Sequence, residues 1–266
     1  MISSAGRAWR FTHAIARSPG ASVSAGLRKT GGHPPDSGQF RVEHEAYVAA
    51  LASAGVEVTA LPALEAFPDS VFVEDAALCV GGTAITLRPG APTRRGEAAA
   101  IRPVLESLFE SVLDLPGEGS VDGGDVLLTD DQAFIGLSER TDEKGCEALS
   151  SLLEDLGYRI RKVHSPPEVL HLKSDCGLLD SNTIFATRRL ASTGCFQDYR
   201  VIVAPEGEEA AANLVRVNGV VFVRTEFPRT EELLRKAGFA VTALSADQAA
   251  RVDGGLSCMS LRFALA

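Results

Sequence analysis

A thiol, an imidazole and a carboxylate are a sufficient set for nucleophilic attack on an electrophilic carbon. This chain supplies such a set from distant segments, at Cys258, His171 and Asp122. Cysteine attacks as the thiolate, an imidazole within hydrogen-bond reach holds or takes its proton, and a carboxylate on the other ring nitrogen orients the imidazole. Further acids stand at Asp69, Glu74 and Asp75. Paired carboxylates complement a planar guanidinium with its five N–H donors. Arg94 and Arg140 are candidates to anchor a carboxylate at the other end of the same ligand. Acids at one end and arginines at the other describe a site for an arginine-like amino acid.

Each of these residues also has an ordinary role open to it. Asp before Gly-Gly, as at Asp122, is common turn chemistry. The other four cysteines, Cys79, Cys146, Cys176 and Cys195, read as small buried hydrophobes. The cysteine total is odd and no pair has C-x-x-C spacing, so neither a disulfide framework nor a zinc site is signalled. Zinc on His171 and Cys258 would lack further ligands at short spacing, so no metal or organic cofactor is expected.

Placement argues for the chemistry, because the polar residues gather at the starts of similar segments. Asp75 to Val80 turns at Gly81-Gly82 into Thr83 to Leu87, and Asp125 to Leu128 turns into Ala133 to Leu137. Cys176 to Leu179 turns at Asp180-Ser-Asn182 into Thr183 to Ala186, and Leu214 to Val217 turns at Asn218-Gly219 into Val220 to Val223. The last of these is the strongest hairpin signal. A fifth segment, Cys258 to Phe263, has no partner after it, and the first strand, Phe11 to Arg17, has none before it. The segment starts Asp75, Asp125, Asp175, Asn213 and Cys258 lie 50, 50, 38 and 45 residues apart, which suggests repeats. Five units closing into a ring remove open sheet edges, and the economical closure pairs the two chain ends in one unit. Strand starts then converge on the axis, bringing together Asp69, Glu74, Asp75, Asp122, Asp125, His171, Asp175, Asn213, Asp253, Ser257 and Cys258.

Helices fill the intervals. Ile101, Val104, Leu105, Leu108, Phe109 and Val112 form one apolar face over 98–113, with Pro103 expected in the first turn. Cys146, Leu149, Leu153 and Leu156 form another over 142–156, stopped by Gly157. Ser245-Ala-Asp-Gln248 has capping-box spacing, and weaker helices are expected at 42–54 and 229–237. No linker or low-complexity tract divides residues 1–266, so a single domain is expected.

The 266 residues carry 45% hydrophobic content and a net charge of −9, ordinary for a globular chain and unfavourable for binding phosphate backbones. A cationic small-molecule substrate fits that balance, while nucleic acid and membrane do not. Residues 1–35 carry Arg7, Arg10, Arg17, Arg28 and Lys29 with no acid before Asp36, the look of a transit segment. The strand at Phe11 to Arg17, which the fold needs, favours a cytoplasmic placement instead. A homodimer is left open.

Six blocks, in order, resemble dimethylargininases (dimethylarginine dimethylaminohydrolases) along nearly the whole chain. They are Asp69-Ser-Val-Phe-Val-Glu-Asp75, Thr86-Leu-Arg-Pro-Gly-Ala-Pro-Thr-Arg-Arg95, Val121-Asp-Gly-Gly-Asp-Val126, Gly136-Leu-Ser-Glu-Arg-Thr141, Leu170-His-Leu-Lys-Ser174 and Val252-Asp-Gly-Gly-Leu-Ser-Cys258. The resemblance implies the pentein fold, a five-bladed α/β propeller with pseudo-fivefold repeats around a central active site. It implies hydrolysis of N-omega-methylated arginine to citrulline and a methylamine through a covalent thiouronium on cysteine. Carried over, Cys258 is the nucleophile, His171 the general acid and base, and Asp122 its orienting group. Asp69, Glu74 and Asp75 contact the guanidinium with Phe72 beside it, Arg94 and Arg140 hold the carboxylate, and Val252 and Asp253 meet the amino-acid end. Leu27 lies on a lid over the mouth, in a stretch (18–35) that carries Gly20, Gly26, Gly31 and Gly32. Met259 follows the nucleophile where some relatives carry a second cysteine, and residues 188–212 depart from the family pattern. Arginine deiminase is the nearest rival, disfavoured with the amidinotransferases by length. A non-catalytic propeller that binds a partner would call for a basic surface and no cysteine–histidine pair.

Overall fold

Hairpins form where two short half-apolar runs flank residues that tolerate a left-handed backbone. Gly81 (φ 57°) and Asn218 (φ 52°) supply that conformation in two of them. The computed structural model describes residues 8–29, 32–166 and 168–265; Arg7 and Gly31, named above, lie outside them. Fifteen strands are described: β1 His13–Arg17, β2 Glu57–Leu61, β3 Ala77–Val80, β4 Thr83–Thr86, β5 Ser111–Asp114, β6 Val126–Leu128, β7 Gln132–Leu137, β8 Arg159–His164, β9 Cys176–Asp180, β10 Thr183–Ala186, β11 Arg200–Val203, β12 Val215–Val217, β13 Val220–Arg224, β14 Ala240–Leu244 and β15 Ser260–Phe263. The six α-helices are α1 Ser37–Ser53, α2 Gly96–Leu108, α3 Glu143–Asp155, α4 Arg188–Ala191, α5 Pro228–Lys236 and α6 Asp247–Ala250.

The strands make five three-stranded sheets of one plan: β3-β4-β5, β6-β7-β8, β9-β10-β11, β12-β13-β14 and β15-β1-β2. In each, an antiparallel pair is followed by a parallel third strand. A parallel pair needs a crossover, and α1 to α5 provide one per sheet. The two chain ends share a sheet as expected, with His13 opposite Phe263 and Ala16 opposite Ser260. Each antiparallel pair is led in by a short 3-10 turn. The turns at Val73–Ala76, Gly123–Asp125, Leu172–Ser174, Glu209–Ala212 and Ser257–Met259 follow one another around a ring. Asn213 bonds to Ser257 across the last gap and closes it.

Apolar seams hold neighbouring sheets together. In one, Ile85 and Ile135 meet Leu149 and Leu153 of α3, all fully buried, and each such side chain contributes about 1.5–3 kcal/mol on burial.

Three helix expectations need correction. The apolar run over 98–113 is split: α2 ends at Leu108, Phe109 is extended, and Val112 lies in β5 beside Ala84. Pro103 therefore sits inside α2, past its first turn. The Ser245 hydroxyl does not cap α6; it donates to Glu43 Oε1. The parallel third strands were not foreseen at all. They are half exposed (Glu57–Leu61 has no fully buried residue), so they lack a clean alternation.

Candidate active site

The fold repeats one device, a 3-10 turn delivering a side chain to the ring's middle. His171 stands just before the Leu172–Ser174 turn, Asp122 just before Gly123–Asp125, and Cys258 inside Ser257–Met259. Close backbone approach is required between turns. A Cβ on Gly124 would lie 2.7 Å from His171 Nδ1 and 2.9 Å from Asp75 Oδ1, so this position has room only for glycine.

Leu27, Asp69, Phe72, Asp75, Arg94, Arg140, His171, Val252, Asp253 and Cys258 line one cavity, completed by Leu170 and Gly254, which were not foreseen. Asp122 stands behind His171, its Oδ2 at 2.9 Å from Nε2, and is fully buried. Its other oxygen accepts from Gly90 N–H at 2.7 Å. With Nε2 engaged, Nδ1 is the nitrogen left for proton traffic. The cavity measures about 30 Å³, room for a water or two and less than an arginine side chain needs.

Electrostatics set the resting protonation. Burial, then the charges of Glu74 and Asp75, push the Cys258 thiol up to about 12; the Gly255 N–H and Lys173 lean the other way. Burial pulls the His171 imidazolium down, but Asp75, the Asp122 hydrogen bond and Asp125 outweigh it and raise its pKa to about 9. The pair therefore rests at neutral pH as thiol and imidazolium. Asp75 is buried, which favours its protonation, yet His171 and Arg94 hold it down at about 2.

Asp75, Asp122 and His171 offer ligand atoms within 4.8 Å of one another, the geometry of a metal cluster. Both oxygens of each carboxylate already accept hydrogen bonds, from Arg94 and Gly124 on Asp75 and from His171 and Gly90 on Asp122. In this structure the three residues form a hydrogen-bond network.

One sequence candidate, Glu74, lies outside this cavity, and another, Arg94, lines it with most of its N–H groups engaged by protein. Glu74 does not line the Cys258 cavity. It pairs with Lys173 Nζ at 2.6 Å and Arg262 at 2.8 Å and accepts from Ser257 Oγ, facing a second, axial cavity of about 360 Å³ bounded by the inner strands. Consecutive side chains in a 3-10 turn leave in different directions, so adjacent Glu74 and Asp75 part company. Arg94 lines the cavity, but its donors are committed to Glu97, to Asp75 at 2.5 Å and to the carbonyls of Asp69 and Phe72. The i, i+3 spacing of Arg94 and Glu97 was the available signal. Arg140, half buried, makes no side-chain hydrogen bond or ion pair among the described residues. Over the mouth, Leu27 N–H donates to Asp69 Oδ1 at 2.9 Å, Lys29 N–H donates to Asp253, and Glu65 caps the Ala21–Ala25 turn through the N–H groups of Ala21 and Ser22.

Comparison with known proteins gives a consistent set of matches. A family model described as N,N dimethylarginine dimethylhydrolase, eukaryotic, matches residues 37–176. An N(G),N(G)-dimethylarginine dimethylaminohydrolase of Pseudomonas aeruginosa is 38% identical over 254 residues, spanning 95% of this chain and all of that one. Its namesake from Streptomyces coelicolor is 31% identical, over 94% of this chain and 96% of the relative. A solved structure of the Pseudomonas aeruginosa protein, a cysteine-to-serine mutant with citrulline, superposes with a TM-score of 0.93 at 38% identity, over 96% of this chain and all of that one. The N-terminal domain of a cyanobacterial arginine dihydrolase shares the fold at 17% identity, with a TM-score of 0.83 over 94% of this chain and 96% of that one.

Proposed function

The chain belongs to the N,N-dimethylarginine dimethylaminohydrolase family, and on that footing we propose that it hydrolyses asymmetric dimethylarginine or monomethylarginine to L-citrulline and dimethylamine or methylamine. The observation that carries this reading is one cavity lined by a thiol, an imidazolium backed by a carboxylate, three further acids and two arginines, of which Arg140 has no side-chain hydrogen bond among the described residues. Relatives solved with citrulline and with an S-methyl-L-thiocitrulline adduct support it.

In this reading the substrate cation lies between Asp69 and Asp75, against Phe72, with its carboxylate toward Arg140 and its amino-acid end at Val252 and Asp253. Arg94 fixes Asp75 and the 69–72 backbone. The incoming positive charge offsets the acids that oppose the thiolate, so Cys258 loses its proton to solvent as substrate binds. Sγ then bonds to the guanidinium carbon. His171 Nδ1–H protonates the departing amine, the C–N bond breaks, and a thiouronium remains on Cys258. Neutral His171 next takes a proton from water, whose oxygen adds to the same carbon. The C–S bond breaks, citrulline leaves, and the hydroxyl proton returns to the thiolate. The step sequence regenerates thiol and imidazolium, and the released amine takes up the proton first lost to solvent.

All the described sheets close into one ring through the chain's own ends, which supports a single catalytic domain. No helix among the described residues is long and apolar enough to cross a membrane, and the five cysteines are free, which supports a reducing, cytoplasmic setting. The reading is tested by citrulline release from asymmetric dimethylarginine and from free arginine. Turnover of the methylated substrate, preferred over arginine and abolished in Cys258→Ser, is expected. A strong preference for arginine would favour a deiminase.

A further inference from the structure

Burial and the acids around Cys258 oppose its ionisation, while the Gly255 N–H, Lys173 and an incoming cation favour it, and the fold offers one further donor to the charged sulfur. Asn213 is placed to be that donor. It ends the Glu209–Ala212 turn, and its side-chain amide spans three neighbouring segments. Nδ2 donates to the Lys173 carbonyl at 3.0 Å and to Ser257 Oγ at 3.1 Å, and it lies 3.9 Å from Cys258 Sγ, within reach of a sulfur acceptor. Oδ1 accepts from Ser257 N–H at 3.1 Å, which fixes which end of the amide faces the thiol. The position is tightly walled, since a Cβ on Gly255 would lie 2.2 Å from Oδ1.

Donor counting sharpens the point. The amide has two N–H bonds and three acceptors. One N–H is held by Lys173 O, leaving the other shared between Ser257 Oγ and Sγ. The Ser257 hydroxyl, itself 3.9 Å from Sγ, has Glu74 Oε2 as its acceptor at 3.2 Å. A neutral thiol competes poorly for the shared N–H, whereas a thiolate is a charged acceptor and competes well.

We propose that the Asn213 side-chain amide donates to the Cys258 sulfur in its thiolate state and so sets how readily the nucleophile ionises. This deepens the reading of Cys258 as the nucleophile and rests on it. Asn213 is not among the residues lining the Cys258 cavity.

The test combines steady-state kinetics with the pH dependence of Cys258 alkylation by iodoacetamide, in the wild type, Asn213→Ala and Asn213→Asp. Loss of a hydrogen bond to a charged group lowers kcat for asymmetric dimethylarginine by roughly 10- to 100-fold, with KM changed less than about threefold. The alkylation midpoint moves to higher pH in both variants, further in Asn213→Asp, where a like charge replaces the donor. A folded variant with unchanged kcat and midpoint overturns the proposal. Should neither variant fold, the wild type decides: the Asn213 side-chain amide resonance shifts with pH in step with thiolate absorbance near 240 nm, or, by staying constant, contradicts it. Full activity in Cys258→Ser would instead overturn the parent reading, whereas an inactive Cys258→Ser beside a normal Asn213→Ala removes only the donor.

Discussion

Cys258 and His171 share a cavity but do not rest as an ion pair, because burial and then Glu74 and Asp75 hold the proton on the thiol, and Asp75 and Asp122 hold it on the imidazole. Alkylation of Cys258 by neutral iodoacetamide is therefore expected to climb through pH 9 to 10 without a plateau near neutrality. A cationic haloacetamidine should label it faster at pH 7, by supplying the positive charge that favours thiolate. A neutral-pH plateau with iodoacetamide would mean a preformed thiolate–imidazolium pair. Glu74 separates the two roles of the acids. In Glu74→Gln, Lys173 and Arg262 lose their charged partner, so thermal unfolding should show a loss of about 3 kcal/mol, while KM moves little and Cys258 alkylates faster. A large rise in KM with stability intact would return Glu74 to the guanidinium. Its identity as an important acid was legible in Asp69 to Asp75; the direction of its side chain was not, because that depends on turn geometry and on Arg262, 188 positions away.

At the scale of elements, the proposed function gives the 18–35 stretch the part of a lid. Leu27 lines the cavity of about 30 Å³ and its N–H is held by Asp69; on the proposed function, that contact opens to admit substrate. Leu27→Gly is expected to raise KM roughly tenfold through lost apolar contact, with kcat within about threefold, in steady-state assays. An unchanged KM would mean that the roof makes no contact with bound substrate. The hairpins were readable from their turn residues, since Gly81-Gly82 and Asn218-Gly219 leave the backbone few alternatives. The third strands were not, because partial exposure removes the alternation that reveals a strand. Val112 illustrates the confusion: its spacing from Leu105 and Leu108 suits a helix face, yet the extended backbone at Phe109 delivers it to a parallel strand beside β4.

For the molecule as a whole, five copies of one sheet plan place five turns around one axis, and chemistry follows from what each turn presents. Repeat spacing was visible because the segment starts Asp75, Asp125, Asp175, Asn213 and Cys258 are polar against apolar strands. Closure through β1 and β15 was visible because each end of the chain carried a strand without a mate. The charged cluster of Glu74, Lys173 and Arg262 was invisible for the converse reason: Glu74 was recognised singly, but only the assembled ring makes Lys173 and Arg262 its neighbours. The central claim is that Cys258 bonds covalently to the guanidinium carbon and that His171 is needed to complete turnover. It is tested most directly by quenching His171→Ala during reaction with S-methyl-L-thiocitrulline, whose methanethiolate leaves without a proton from His171, and weighing its cysteine peptides. A citrulline-forming adduct on the peptide containing Cys258, absent from Cys258→Ser, is the expected result; steady turnover with every cysteine unmodified, or an adduct on another cysteine, would contradict it.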